Sequence, residues 1–195
     1  MHNAKIKRMA GIALLTALVI VLQFVGGMIP PVGGFSISLV LIPIVLGAAV
    51  YGPNAGALLG AAFGIIVTIN CITGADVGGA MVFQANPILC IVVVLGKGIL
   101  AGFASGLVYM MFKHWNGYIA MVLAAIICPV VNTGTFIICM MTFFKDVLTV
   151  WAGGGEIIAY VLSGLVLCNF VPELIINIIF SPFGQRILHT IQQKI

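Results

Sequence analysis

Charge is what this sequence has least of. Charged residues make up 6% of the chain, and only four are acidic: Asp76, Asp146, Glu156 and Glu173. A soluble domain carries roughly a quarter charged residues, so water cannot be the solvent for most of this surface. Catalytic signatures are missing as well. There is no H-E-x-x-H, no G-x-S-x-G and no Walker A loop, and His2, His114 and His189 fall at the N-terminal end, in a turn and in the tail. None is positioned to meet a carboxylate at depth, and an enzyme is not expected. The five cysteines (Cys71, Cys90, Cys128, Cys139, Cys168) form no C-x-x-C pair, and most sit in apolar runs, where cysteine behaves as a small hydrophobe. No metal site and no cofactor is expected from them. The net charge of +4 needs no nucleic-acid partner, because cytoplasmic loops of membrane proteins collect lysine and arginine.

What remains is hydrophobic length. With 63% hydrophobic residues over 195 positions, and roughly 20 apolar residues per spanning helix, about six spans and short loops use nearly the whole chain. The expected architecture is a single all-α integral membrane domain over 1–195. Its spans run at about 9–27, 36–51, 55–69, 87–112, 118–144 and 157–180. No room is left for a nucleotide-binding domain, so an ATP-driven step would need a partner chain. The run from Met9 to Met28 is long for a signal segment and has no small-residue cleavage site, so it reads as a retained first span.

The breaks between spans are local. Pro30-Pro31-Val32-Gly33-Gly34 forms a loop and Gly52-Pro53-Asn54 a tight turn. The stretch from Asn70 to Asn86 reads as a polar, glycine-rich connection, and Lys145 to Glu156 as another loop. Ser181-Pro182 is expected to stop the sixth span before a short amphipathic tail. Pro43, Pro129 and Pro172 predict kinks, tolerated in membranes where neighbours satisfy the freed carbonyls. Six spans put both termini on one side with Lys5, Lys7, Arg8, Lys113, Arg186 and Lys194, against Lys145 alone on the other. That side is therefore the cytoplasm, and the loops after the first, third and fifth spans face outward.

Two kinds of residue stand out within the spans. Small residues four apart share a helix face and let backbones approach. Gly56, Gly60 and Gly64 form such a ladder on the third span, and Gly98, Gly102 and Gly106 on the fourth; packing within the bundle is their simplest reading. Ala13 and Ala17 make an A-x-x-x-A pair on the first span, for packing within the bundle or against another protein. Ionisable groups inside spans are costly and usually functional, and two qualify. Lys97 lies roughly 15 Å into the fourth span at 1.5 Å per residue, and Glu173 lies late in the sixth, beside Pro172. Lys97, Asn132, Thr133 and Asn169 suggest a polar pocket among the last three spans, with Gln84 and Asn86 contributing from the loop above. The alternative is a Lys97–Glu173 ion pair that ties two helices.

These residues resemble the substrate-binding S component of an energy-coupling factor (ECF) vitamin transporter, over nearly the whole chain. The likeness rests on the six short spans, on Ala13-Leu14-Leu15-Thr16-Ala17, and on Ile42-Pro43. It continues in Tyr51-Gly52-Pro53-Asn54-Ala55-Gly56-Ala57-Leu58-Leu59-Gly60, similar to the family's G-P-x-x-G-x-x-x-G turn into the third helix. Asn86-Pro87, Gly96-Lys97-Gly98-Ile99-Leu100-Ala101-Gly102 and Val131-Asn132-Thr133-Gly134 are similar to the pantothenate-type branch, which tends to carry Arg or Lys at the position of Lys97. The resemblance implies a high-affinity binder in the cell membrane with no catalysis of its own. It implies docking, through Ala13 and Ala17, on a transmembrane coupling subunit driven by two ATPase subunits. It also implies a water-soluble vitamin as substrate: pantothenate first, since its carboxylate suits an intramembrane lysine, then riboflavin or folate. Lysine cannot make the planar bidentate bond to carboxylate that arginine makes.

Two other classes compete. A self-sufficient secondary transporter or channel would usually carry two related halves and broken helices at the midplane, and no internal repeat is visible. A small intramembrane enzyme would need Asp76, Asp146 or Glu156 to converge from the loops.

Overall fold

The computed structural model describes residues 2–28 and 39–192; within them the chain is helical, with short turns and no strand. A chain so poor in charge must satisfy its backbone internally, and helices do so within each segment. Among the described residues five helices are long and apolar enough to cross a bilayer, with one shorter apolar helix beside them. The architecture is an all-α membrane bundle. Its elements are α1 (His2–Met28), α2 (Leu41–Tyr51), α3 (Pro53–Thr73), α4 (Val77–Ala85), α5 (Pro87–Phe112), α6 (Gly117–Phe143), α7 (Lys145–Trp151) and α8 (Ile157–Tyr160). A π-helical segment, π1 (Val161–Phe170), then leads directly into α9 (Val171–Gln192).

Several expectations are corrected. Of the expected second span at 36–51, residues 39–51 are described, and they are helical over Leu41–Tyr51, roughly 16 Å at 1.5 Å per residue, about half the hydrocarbon thickness. The Pro30–Gly34 loop lies outside the described residues. Pro43 stands in the first turn of α2, where a missing N–H costs nothing, so it gives no reason for a kink there. The stretch 70–86 is not a loop. α3 runs on to Thr73, Gly74 closes it with φ 79°, and Asp76 starts α4 by accepting a hydrogen bond from Gly79 N at 3.0 Å. The loop expected at 145–156 likewise holds α7, and only the turn around Gly153 and Gly154 is irregular.

The expected stop at Ser181-Pro182 does not occur: α9 passes through Pro182 to Gln192. Proline cannot donate to the Ile178 carbonyl one turn back, but the Ser181 hydroxyl does so, at 2.8 Å. At Pro172 the accommodation is a change of helix type. The wide π turns end at Phe170, and Val171 N–H still bonds five residues back to Val166 O.

The tightest seam joins α3 to α5, which run antiparallel. A Cβ at Gly60 would collide with the Gly98 carbonyl, and one at Gly56 with the Gly102 carbonyl; the reverse collisions hold as well. Gly106 packs on Pro53 and Gly64 on Leu95. Both ladders thus meet each other, inside the bundle. Polar ties join other helices at the same end as the α2–α3 turn. Arg8 donates to Tyr51 O at 3.0 Å, and Tyr109 donates to Gln185 Oε1 at 3.4 Å. One turn further in from Tyr109, Ser105 donates to Ala124 O at 3.0 Å.

Candidate solute-binding site

At the other end of the bundle the helices part around a cavity of about 160 Å³. Here α1 and α3 finish, α5 begins, and the short helices α4 and α7 close over them. Lys97, Asn132, Thr133 and Asn169 all line this cavity. Gln84 and Asn86 do not. Gln84 is exposed on α4, and Asn86 caps α5, its Oδ1 accepting from Leu89 N at 3.1 Å.

Lys97 reaches the cavity from the third turn of α5. Its neighbour Gly98 is locked against Gly60, so the backbone that carries the lysine is held by the glycine seam. Its Nζ lies over the Phe136 ring, 4.5 Å from the centroid. A cation over a ring face is held by the ring quadrupole, and Phe136 therefore fixes the ammonium without consuming its hydrogen bonds. The carboxylates of Glu173 and Asp76 both attract it, and both residues line the same cavity.

Asn132 and Thr133 come from the middle of α6 and are 5% and 3% exposed. Thr133 donates a long 3.5 Å bond to Glu173 Oε2. Glu173 is 1% exposed, and its backbone carbonyl accepts from Asn177 Nδ2 at 2.8 Å. The Asn132 Oδ1 is buried and finds no hydrogen-bond partner among the described residues. A buried acceptor left unmet costs about 1–3 kcal/mol, so this wall of the cavity is built to receive a donor. Asn169 is the ninth residue of π1; π turns widen a helix and recur at functional sites.

Sequence reasoning placed the pocket among the last three spans, with Gln84 and Asn86 from the loop above. The structure widens it: Gln23 of α1, Asn70 and Cys71 of α3, Asp76 before α4 and Trp151 of α7 also line it. Trp151 donates from its indole N–H to Met81 Sδ at 3.4 Å, joining α7 to α4 across the opening. Local signals for some of these were present. Gln23 is the one amide in the first span, and Asp76-Val77-Gly78-Gly79 is a helix-start pattern. Ala13 and Ala17 lie elsewhere, on the exposed face of α1 with Leu14 and Leu18.

Fold and cavity together define a class: a helical membrane protein that holds a small polar site at one end of its bundle. Among protein families, residues 7–183 match the one described as the substrate-specific component of ECF transporters. The chain belongs to that family; it is a multi-pass protein of the cell membrane and a transporter subunit. No curated protein matches it in sequence.

Proposed function

We propose that this chain captures a water-soluble vitamin from outside the cell and delivers it inward together with a transmembrane coupling subunit and two ATPase subunits. In this reading 1–195 is one membrane domain that crosses six times, with α2 in the short second crossing and both termini in the cytoplasm. The cavity end then faces outward. Lys97 binds an anionic group of the solute, and Asn132, Thr133 and Asn169 supply directional hydrogen bonds. Gln84 and Asn86 stand back from the solute, at the rim. Ala13 and Ala17 form the docking stripe for the coupling subunit, and their exposure on α1 supports that.

One observation carries the choice of solute. A ring-held cation, Lys97, and an unmet acceptor, Asn132 Oδ1, face the same cavity. A ligand that answers both has an anionic group and a hydroxyl or amide donor. Pantothenate has a carboxylate, two hydroxyls and an amide. The volume argues the same way. About 160 Å³ is close to the ~150 Å³ that holds benzene and below the ~300 Å³ where drug-sized pockets begin. Pantothenate, slender and flexible, asks for the least opening of the α4 and α7 wall; riboflavin and folate, with fused rings, ask for more.

The test is to purify the chain, denature it and identify any released small molecule by mass spectrometry. Pantothenate in stoichiometric amount, absent from Lys97→Ala, is the expected result. Another vitamin would keep the transporter role and discard pantothenate. An empty protein that binds nothing from a vitamin panel would overturn the reading.

A further inference from the structure

α1 stands apart from the wall that carries the polar groups. It packs on α2 and α3, and among the described residues none of its Cα atoms lies within 8 Å of one in α5, α6, π1 or α9. It nevertheless lines the cavity, through Leu22, Gln23 and Gly26. Val19, Leu22, Gln23 and Gly26 follow the spacing of one helix face, and that face points inward: Val19 is 0% exposed and Gly26 is buried. Between Met9 and Gly27 the only polar side chains are Thr16 and Gln23. Thr16 donates to Ile12 O at 2.9 Å, whereas the Gln23 amide meets no hydrogen-bond partner among the described residues. Keeping an amide out of water without a partner is costly. What separates this amide from Lys97, Asn132 and Thr133 is the cavity itself.

We propose that Gln23 is a solute-binding residue, and that the solute bridges α1 to the wall formed by α5 and α6. The inference rests on the solute-binding role proposed above and narrows the class of solute. An amide both donates and accepts hydrogen bonds and carries no charge. The group it takes is therefore neutral and does both as well, as hydroxyls do. Lys97, on α5, takes the anionic group. Because α1 and α5 do not touch at the cavity, one solute meets both residues only if its two groups are well separated. The class is a two-ended molecule, with a carboxylate at one end and hydroxyls at the other. Pantothenate is built that way, its amide lying between the two ends. A compact anion with no hydroxyl end would meet Lys97 and leave Gln23 unanswered.

The full chain in lipid nanodiscs is titrated with pantothenate, and with the analogue that lacks both hydroxyls, by isothermal titration calorimetry. Gln23→Leu is expected to weaken pantothenate by about tenfold and to leave the affinity for the analogue unchanged. Gln23→Ala, which only truncates the side chain, is measured alongside and should act alike. The solute-free melting temperature should not fall, because the amide has no protein partner to lose. Equal losses for the two compounds would mark a change in cavity shape rather than a lost contact, and would overturn the bridge. Pantothenate bound equally by wild type and both variants would overturn the bridge alone and leave the transport reading standing. A wild-type chain that binds no pantothenate overturns that choice of solute, and the bridge with it.

Discussion

The helix pair α3 and α5 is two different structures along its length. From Pro53 and Gly106 to Gly64 and Leu95 the helices are in backbone contact, with glycine meeting glycine. Beyond that point α3 carries Val67 and Cys71, α5 carries Val93, Val94 and Cys90, and the space between the helices belongs to the cavity. In a bilayer, helices associate through close packing and interhelical hydrogen bonds rather than by escaping water. The seam uses close packing alone. The cavity end uses polar groups, and one of its acceptors, Asn132 Oδ1, is left unmet. Stability is thus concentrated where side chains are absent, and binding capacity where polar side chains converge. Lys97 stands at the border, its backbone held through Gly98 and its ammonium in the cavity.

The sharpest way to test this division is to remove the charge at the border. Lys97→Ala is expected to weaken solute binding by about 2–5 kcal/mol, the range for truncating one partner of a buried charge contact, measured by isothermal titration calorimetry. It also leaves the Glu173 carboxylate, 1% exposed, without the cation that attracts it, so the solute-free protein melts lower. Adding Glu173→Gln restores the melting temperature and leaves binding lost. If the double variant recovers binding, Lys97 serves only the helix pairing.

Next is the seam. Gly60→Val drives a branched side chain into the Gly98 backbone, and overpacking of this kind costs about 1–3 kcal/mol. A lower melting temperature and weaker binding are both expected, because Gly98 positions Lys97. Gly96→Ala is the control. Its added Cβ meets nothing within 4 Å, and stability should move by less than about 0.5 kcal/mol. Equal effects from the two substitutions would remove the distinction between seam and cavity wall.

How much of this was legible in the sequence follows the range of the interaction. Long apolar runs announce themselves: the fourth expected span, 87–112, is α5 to the residue. Both glycine ladders were visible, and so were Lys97, Asn132, Thr133 and Asn169, because a polar residue inside an apolar run is a local signal. The short helices α4 and α7 were not, since about two turns beside glycines give too little periodicity to read. Nor was the contribution of α1 and α3 to the cavity, which depends on how distant segments pack.

The smallest expected effect concerns a misreading of another sort, in which a local rule was overridden by a local partner. Proline after a serine reads as a stop, yet α9 continues through Pro182. If the Ser181 hydroxyl sustains the helix by serving the Ile178 carbonyl, Ser181→Ala removes that bond and should cost about 0.5–1.5 kcal/mol, seen as a small drop in melting temperature. Pro182→Ala restores a backbone N–H to the same carbonyl, so on that background Ser181→Ala should cost almost nothing. Side-chain packing would give the same loss on both backgrounds, which is why the pair of measurements is needed. Solute binding should be unchanged throughout, because Ser181 lies away from the cavity. A change in affinity would mean that the proline turn of α9 is coupled to Glu173, two turns earlier in the same helix.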